Sequence, residues 1–408
     1  MNVNKILFFL PFCWCAVEAQ VVSNTGVITI NPKTTMSIVS DFDNKSNGTL
    51  WNDGELSLLG HFNNDGLVTF SPTIKDGNTR FDGNSKQVIT GTEIPEFQNI
   101  MFNNSAAQPA IELHNEINIS GTADFAQGIV NNQDFGGMVV FEENGNHVHT
   151  NTSSFATGEV TKKGGTSFTF PVGAGDHFRH SEITGSKDAS NVFLANYFTK
   201  NSNPSWPHSK KIEEIDVIDD REYWTLEKKG GKGDVMLTLS WDESSTTPGD
   251  IANAEEENLH IVRWSTEKNM WVDEGGVVDV SNKTVSTPVS VSGYGVFTLA
   301  KVFAFLPCKL IVYNAVSPNG DGMNDYFRVE GLNACSISHN SVQIFNRWGV
   351  MVYEESGYGE SGKLFRGYSN KLPNKLLPAG TYFYIINMSY DAGGKSQSHK
   401  KSGYLYLN

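Results

Sequence analysis

The stretch Asn52-Asp53-Gly54-Glu55-Leu56-Ser57-Leu58-Leu59-Gly60-His61-Phe62-Asn63-Asn64-Asp65-Gly66-Leu67-Val68-Thr69-Phe70 holds two short apolar runs, and the same Asn-Asp-Gly corner opens each, twelve residues apart. Glycine has no Cβ, and Asn and Asp bond to nearby backbone, so such triplets suit tight corners. Short runs of Leu, Val, Ile and Thr between corners suit strands. Similar runs recur on both sides, at 26–30, 87–90, 111–113, 117–119 and 138–141, with Asp76-Gly77 and Asp82-Gly83 as further corners. This texture predicts a right-handed β-solenoid over residues 20–205, with Phe62, Phe81, Phe97 and Phe102 stacking inwards along a narrow core. The alternative is a β-sandwich, which would show antiparallel Greek-key pairing instead.

The whole chain reads as all-β. It has 408 residues, 38% hydrophobic and 19% charged, and much of the remainder is Asn, Gly, Ser and Thr. No helical periodicity stands out beyond the first residues. The formal charge of −14 repels phosphate backbones and argues against nucleic acid as a partner. It suits a soluble protein at a crowded surface, or divalent-cation binding by some carboxylates. Residues 1–19 read as a signal peptide: Lys5, an apolar run at 6–17, then Val17-Glu18-Ala19 before Gln20. Lipidation at Cys13 or Cys15 is disfavoured, because Phe12 and Trp14 stand where a small residue is needed. No later stretch is long and apolar enough for a transmembrane helix. Cleavage would leave two cysteines, Cys308 and Cys335. In an exported protein they predict a disulfide worth about 3 kcal/mol, with two buried thiols as the alternative.

A polar stretch, Asn201-Ser202-Asn203-Pro204-Ser205, suggests a boundary, and residues 206–305 alternate in the manner of half-buried strands. Trp224, Trp241, Trp264 and Trp271 crowd this region. They fit the core of a β-sandwich better than an exposed platform for sugars. Four histidines invite a metal reading: His147 and His149 alternate, and His177 and His180 follow. No Cys or acid completes a ligand set, so hydrogen-bonded or surface histidines are the simpler expectation.

The final segment, 306–408, is the most specific. It contains Ser317-Pro318-Asn319-Gly320-Asp321-Gly322-Met323-Asn324-Asp325, then Asn346-Arg347-Trp348-Gly349 followed by Val352-Tyr353-Glu354, then Pro378-Ala379-Gly380-Thr381-Tyr382-Phe383-Tyr384. These motifs and their order resemble the gliding-motility-associated C-terminal domain, the type B sorting domain of the Bacteroidetes type IX secretion system. The resemblance covers residues 308–408. It implies a small antiparallel sandwich that the type IX machinery at the outer membrane recognises. One departure stands out: the family's Trp-Asp-Gly-type run is Phe365-Arg366-Gly367 here. Asn319, Asp321, Asn324 and Asp325 also resemble calcium ligands. Met323 interrupts the alternation and no Glu follows at the needed spacing, which favours an Asx- and Gly-stabilised turn. Arg347 beside Trp348 suits stacking or pairing with an acid. Lys400 and Lys401 read as a solvated edge that discourages strand pairing.

No nucleophile elbow, zinc-protease helix or phosphate loop is present. The expectation is a non-enzymatic, secreted or surface-attached protein, adhesin-like or structural, needing no cofactor unless calcium binds. The alternative is a polysaccharide-binding or polysaccharide-degrading protein acting through the solenoid-like region, with an extracellular glycan as partner. An exposed aromatic strip would favour binding, and a cleft with two carboxylates would favour hydrolysis.

Overall fold

A computed structural model describes residues 21–303, 310–332, 337–371, 375–392 and 395–408. The leader at 1–19 and both Cys308 and Cys335 lie outside the described residues.

The Asn-Asp-Gly corners do what their chemistry predicts. Asn52 Oδ1 accepts the Gly54 amide at 3.1 Å. A Cβ on Gly54 would lie 2.4 Å from the Asn31 carbonyl oxygen, and one on Gly66 would lie 2.3 Å from that of Lys45. The corners thus stack so closely that only glycine fits. Between them, strands such as Asp41–Asn44, Thr49–Asn52 and Glu55–Leu58 alternate half-buried and buried residues. Each pairs in parallel with its counterpart one turn away: Phe42 with Phe62, Leu50 with Val68, Leu58 with Phe81. Two six-stranded parallel sheets result, with the third side made by a three-stranded sheet and by the first strands of a longer one. This is a β-solenoid of about six turns, as the sequence predicts.

Two stacks fill its interior. Phe62, Phe81, Phe97 and Phe102 do meet inside, with centroids 6.1 Å apart for Phe62 and Phe81 and 6.2 Å for Phe81 and Phe102; Phe125 follows at 5.1 Å. The second stack is polar. Asn24 Nδ2 donates to Asn44 Oδ1 at 2.9 Å, and Asn44 Nδ2 to Asn64 Oδ1 at 2.8 Å. The same amides reach the carbonyls of Thr49, Leu67 and Glu93. All three side chains are buried, so each amide group must find its partners within the protein. Asn44→Ala leaves Asn64 Oδ1 and the Leu67 carbonyl without this donor. We expect a loss of about 1–3 kcal/mol in urea unfolding; a change below about 0.5 kcal/mol would show that the ladder is decorative.

Architecture changes at Val160–Lys163. One edge of this strand pairs in parallel with Met138–Phe141, the last solenoid strand on that side. Its other edge pairs antiparallel with Val192–Phe198. The sheet then continues through Tyr223–Gly230, Gly295–Val302, Leu259–Ser265 and Met270–Gly275. A second sheet, of Phe168–Phe170, Ser181–Ile183, Leu237–Ser240, Thr284–Ser286 and Val277–Asp279, belongs to this same half of the body. The junction therefore falls at 160–163, and strands on either side of 201–205 share one sheet. A single apolar core runs from Ile30 to Leu299. At the junction Lys162 is buried, and its ammonium donates to the carbonyls of Glu142, Glu143 and Gly145 at 2.7–2.9 Å. Burial pulls it down to about 8.

The four tryptophans are core residues, with Trp224 and Trp271 fully enclosed. Beside Trp224, Glu222 is fully buried; it accepts from the Tyr197 hydroxyl at 2.6 Å and lies 3.5 Å from Arg179. Asp219, also fully buried, accepts the amides of Arg221 and Glu222 on Oδ1. Its Oδ2 has no hydrogen-bond partner among the described residues. Burial, and then the Glu222 carboxylate, push its carboxyl up to about 8. An acid raised in this way keeps its proton longer when folded. The stability it contributes is complete below the ordinary carboxylate range and drains away as pH rises towards 8, at up to about 1.4 kcal/mol per pH unit. Asp219→Asn keeps the Oδ1 acceptor and is expected to flatten that slope and to stabilise the protein near pH 8. Urea unfolding between pH 5 and 8 checks this, and an unchanged slope refutes it.

The final segment has its own core, from Leu310 to Leu407. Its sheet runs in the order Ala315–Val316, Lys395–Leu407, Gly380–Ala392, Ile337–Asn346, Met351–Ser356. Two short ribbons, Ile311–Val312 with Val329–Glu330 and Tyr368–Ser369 with Lys375–Leu376, complete the module. Tyr358 joins its parts: its hydroxyl donates to the Phe327 carbonyl at 2.6 Å and accepts the Phe365 amide at 3.0 Å.

Candidate functional site

The three C-terminal motifs sit on turns and strand starts of this module. The first leaves the strand Ala315–Val316, which lies beside the last strand. Ser317 donates its amide to the Asn324 carbonyl at 2.7 Å, closing the loop. Asp325 accepts the amides of Gly320 at 2.6 Å and Gly322 at 2.9 Å. Asp321 accepts the Met323 amide at 2.7 Å and the Asn319 side chain at 2.8 Å, and Asn319 Oδ1 accepts the Asp321 amide. Gly320, Gly322 and Asn324 adopt positive φ. The Met323 amide, and after it the Asn319 side chain, hold Asp321 below the ordinary carboxylate range. Each carboxylate oxygen of Asp321 and Asp325 thus already faces an N–H group, which is the geometry of a self-closing turn.

The second motif is a hairpin tip. Asn346 Oδ1 accepts the amides of Trp348 and Val350, both at 3.0 Å, and Gly349 takes φ of 71°. Arg347 stacks over the Trp348 ring at 4.3 Å, and Trp348 stays half exposed. In the third motif Gly380 opens the strand and alternation divides the rest. Tyr382 and Tyr384 turn into the module core, where the Tyr382 hydroxyl donates to the Pro378 carbonyl at 2.8 Å. Thr381 and Phe383 face the opposite way, towards the sandwich. The departing run is accommodated in kind. Phe365 is buried against Tyr353, Arg366 stacks over Tyr326, and Gly367 takes positive φ with Pro318 close by.

The histidines serve separate roles. His147 is packed among Phe125, Phe141 and Phe168 and bonds the Thr169 carbonyl at 2.6 Å. The strand ends at Val148, and His149, at φ 62°, turns outwards to Asp124. The expected shared face of His147 and His149 is therefore lost, because the chain turns between them. His177 pairs with Asp176 and His180 with Glu182. No group of three or more His, Cys, Asp or Glu side chains is placed to hold a metal ion among the described residues.

Sequence reading missed one feature, a cleft of about 850 Å³ between the outer face of the module and the second sandwich sheet. Ser402 Oγ donates to the Gly276 carbonyl at 3.0 Å, and Lys401 pairs with Glu257. Lys401 is thus mostly buried and partnered, where a solvated edge was expected. Phe345 and Ile385, outside the module's own core, are buried as well. The alternation of Thr381 and Phe383 against Tyr382 and Tyr384 is the one sequence signal that hints at such an outward face.

Residues 310–407 match the family model described as the CHU_C type IX secretion signal domain. No curated protein and no solved structure matches the chain. The module indicates sorting by the type IX machinery, and hence a secreted or cell-surface protein.

Proposed function

We propose that this type IX cargo is a non-catalytic, adhesin-like or structural element of the cell surface, with its solenoid as the projecting part. The observation that carries the reading is the continuous core from Ile30 to Leu299 behind an export module. Six stacked strands at roughly 4.8 Å spacing make a rod on the order of 25 Å tall. Its surface is internally bonded: Asp82 accepts from Arg80, Ser57 and Asn103, and Asn63 bridges Asp43 and Asp65. Such ladders favour rigidity over turnover. Cells exporting the full chain should attach to surfaces or to one another better than cells exporting a chain without residues 21–163. The purified chain should release no reducing ends from polysaccharides. Equal attachment would defeat the adhesive reading, and released sugar ends would favour the alternative of a polysaccharide-degrading protein.

A further inference from the structure

We propose that the cleft between the sorting module and the sandwich binds a short amino-sugar oligosaccharide. The inference rests on the surface-protein reading above and adds a site and a ligand class to it.

One wall is aromatic. Phe345, Phe383 and Tyr404 are direct cross-strand partners on three neighbouring strands, so their side chains form one row. The row points away from the module core, which receives Tyr382, Tyr384 and Leu405 instead. Phe345 is buried behind the row, and Phe383 with Tyr404, 46% exposed, forms the aromatic part of the cleft wall. Such a strip offers flat apolar faces to the C–H face of a sugar ring.

The opposite wall sets polar side chains beside Val277, Val278 and Val280. Glu182, Thr238 and Ser286 are in register across three strands of the sandwich. The hydroxyls of Thr238 and Ser286 lie 2.7 Å apart, and His180 lies 3.3 Å from Glu182. Glu256 and Asp279, the latter already accepting from Ser281 and Asn282, add two further carboxylates, and among the described residues no Lys or Arg lines the space. An aromatic strip facing hydroxyls and carboxylates matches a ring with an apolar face and hydroxyl edges. Three acids against the single imidazole of His180 select protonated amines and repel uronates. A basic peptide shares the charge, but it makes no use of the hydroxyl row.

Calorimetric titration of the full chain in mildly acidic buffer tests the proposal. A glucosamine tetramer should bind, an N-acetylglucosamine tetramer about tenfold more weakly, and a galacturonate tetramer should give no heat. Tyr404→Ala should weaken binding by about tenfold, Tyr404→Phe should retain it, and Glu182→Gln should narrow the preference for the free amine. Tyr404 is exposed, so the melting temperature of its variants should stay unchanged. Absence of sugar binding, equal binding by Tyr404→Ala, or tetralysine binding as tightly as the glucosamine tetramer would overturn it. Surface display of the Tyr404→Ala chain is measured separately. Its loss would bear on export, whereas lost binding with normal display would bear on this site alone.

Discussion

A chain ending at Phe303 should fold and yet fail to reach the cell surface. The body and the module have separate cores, one from Ile30 to Leu299 and the other from Leu310 to Leu407, with no residue in common. The contacts between them lie at the surface of each core: the Lys401–Glu257 pair, the Ser402 bond to Gly276, Gly349 beside Ser290 and Met236, and the burial of Phe345 and Ile385. Removing residues 310–407 therefore takes little from the body's packing. What it removes is the sorting signal. The expected result is a body with unchanged cooperative unfolding that accumulates in the periplasm, inaccessible to protease added to intact cells. The full chain should be degraded in that assay or appear in the medium. If the truncated body is displayed as the full chain is, these residues do not sort it.

The same separation bears on what the motif residues do. Most of the conspicuous side chains are spent on holding the module together. Asp325 ties two amides of its loop, Asn346 ties the hairpin, and Tyr382 ties its strand to Pro378. Pro318 packs against Gly367, so the first motif and the departing Phe365-Arg366-Gly367 run support each other. Of the second motif, Trp348 with Arg347 stacked on it is the part offered to solvent.

Much of this fold is legible because its signals are local. At Asn52-Asp53-Gly54 the Asn52 side chain caps its own Gly54 amide, and a reader of the sequence sees both participants, whereas Asn64 and Asp65 bond to Asn44, Glu93 and Thr92 on other turns. The Asn319 to Asp325 turn is local in the same way as the Asn52 corner. The register of the solenoid is less legible. Phe42 pairs with Phe62, twenty residues on, but Phe62 pairs with Ile89, twenty-seven on, because some corners carry inserted loops. The junction at Val160–Lys163 was hidden for a different reason. Its second partner, Val192–Phe198, arrives after an excursion into the other sheet, and no local pattern announces that return. Proline and polar residues at 201–205 mark only a surface turn between strands of one sheet. The cleft is the least legible feature, since Thr238, Phe383 and Tyr404 come from distant stretches. Lys401, which meets Glu257 at a separation of 144 residues, looked like an edge guard for the same reason.

The largest single-residue loss of stability is expected from Phe102→Ala. Phe102 is fully buried and sits between Phe81 and Phe125, each one turn away and in direct register with it. Truncation removes a whole phenyl ring from a stack that neighbouring turns hold at fixed spacing. The backbone ladders on either side resist collapse into the space, so the cavity persists and the cost should be about 3–5 kcal/mol. Phe102→Leu refills part of the space and should cost less. Met101→Ala, on the outer side of the same strand, should change stability by about 0.5 kcal/mol or less. A second consequence follows from the architecture. Solenoid turns contact only their neighbours, so weakening one layer loosens the coupling between the turns on either side. Hydrogen exchange should then show the strands from Val21 to Phe81 opening before those from Thr122 onwards, while the wild-type body opens as one unit. Exchange that rises uniformly across the body, with a loss below about 1 kcal/mol, would mean that the phenyl stack does not couple the turns.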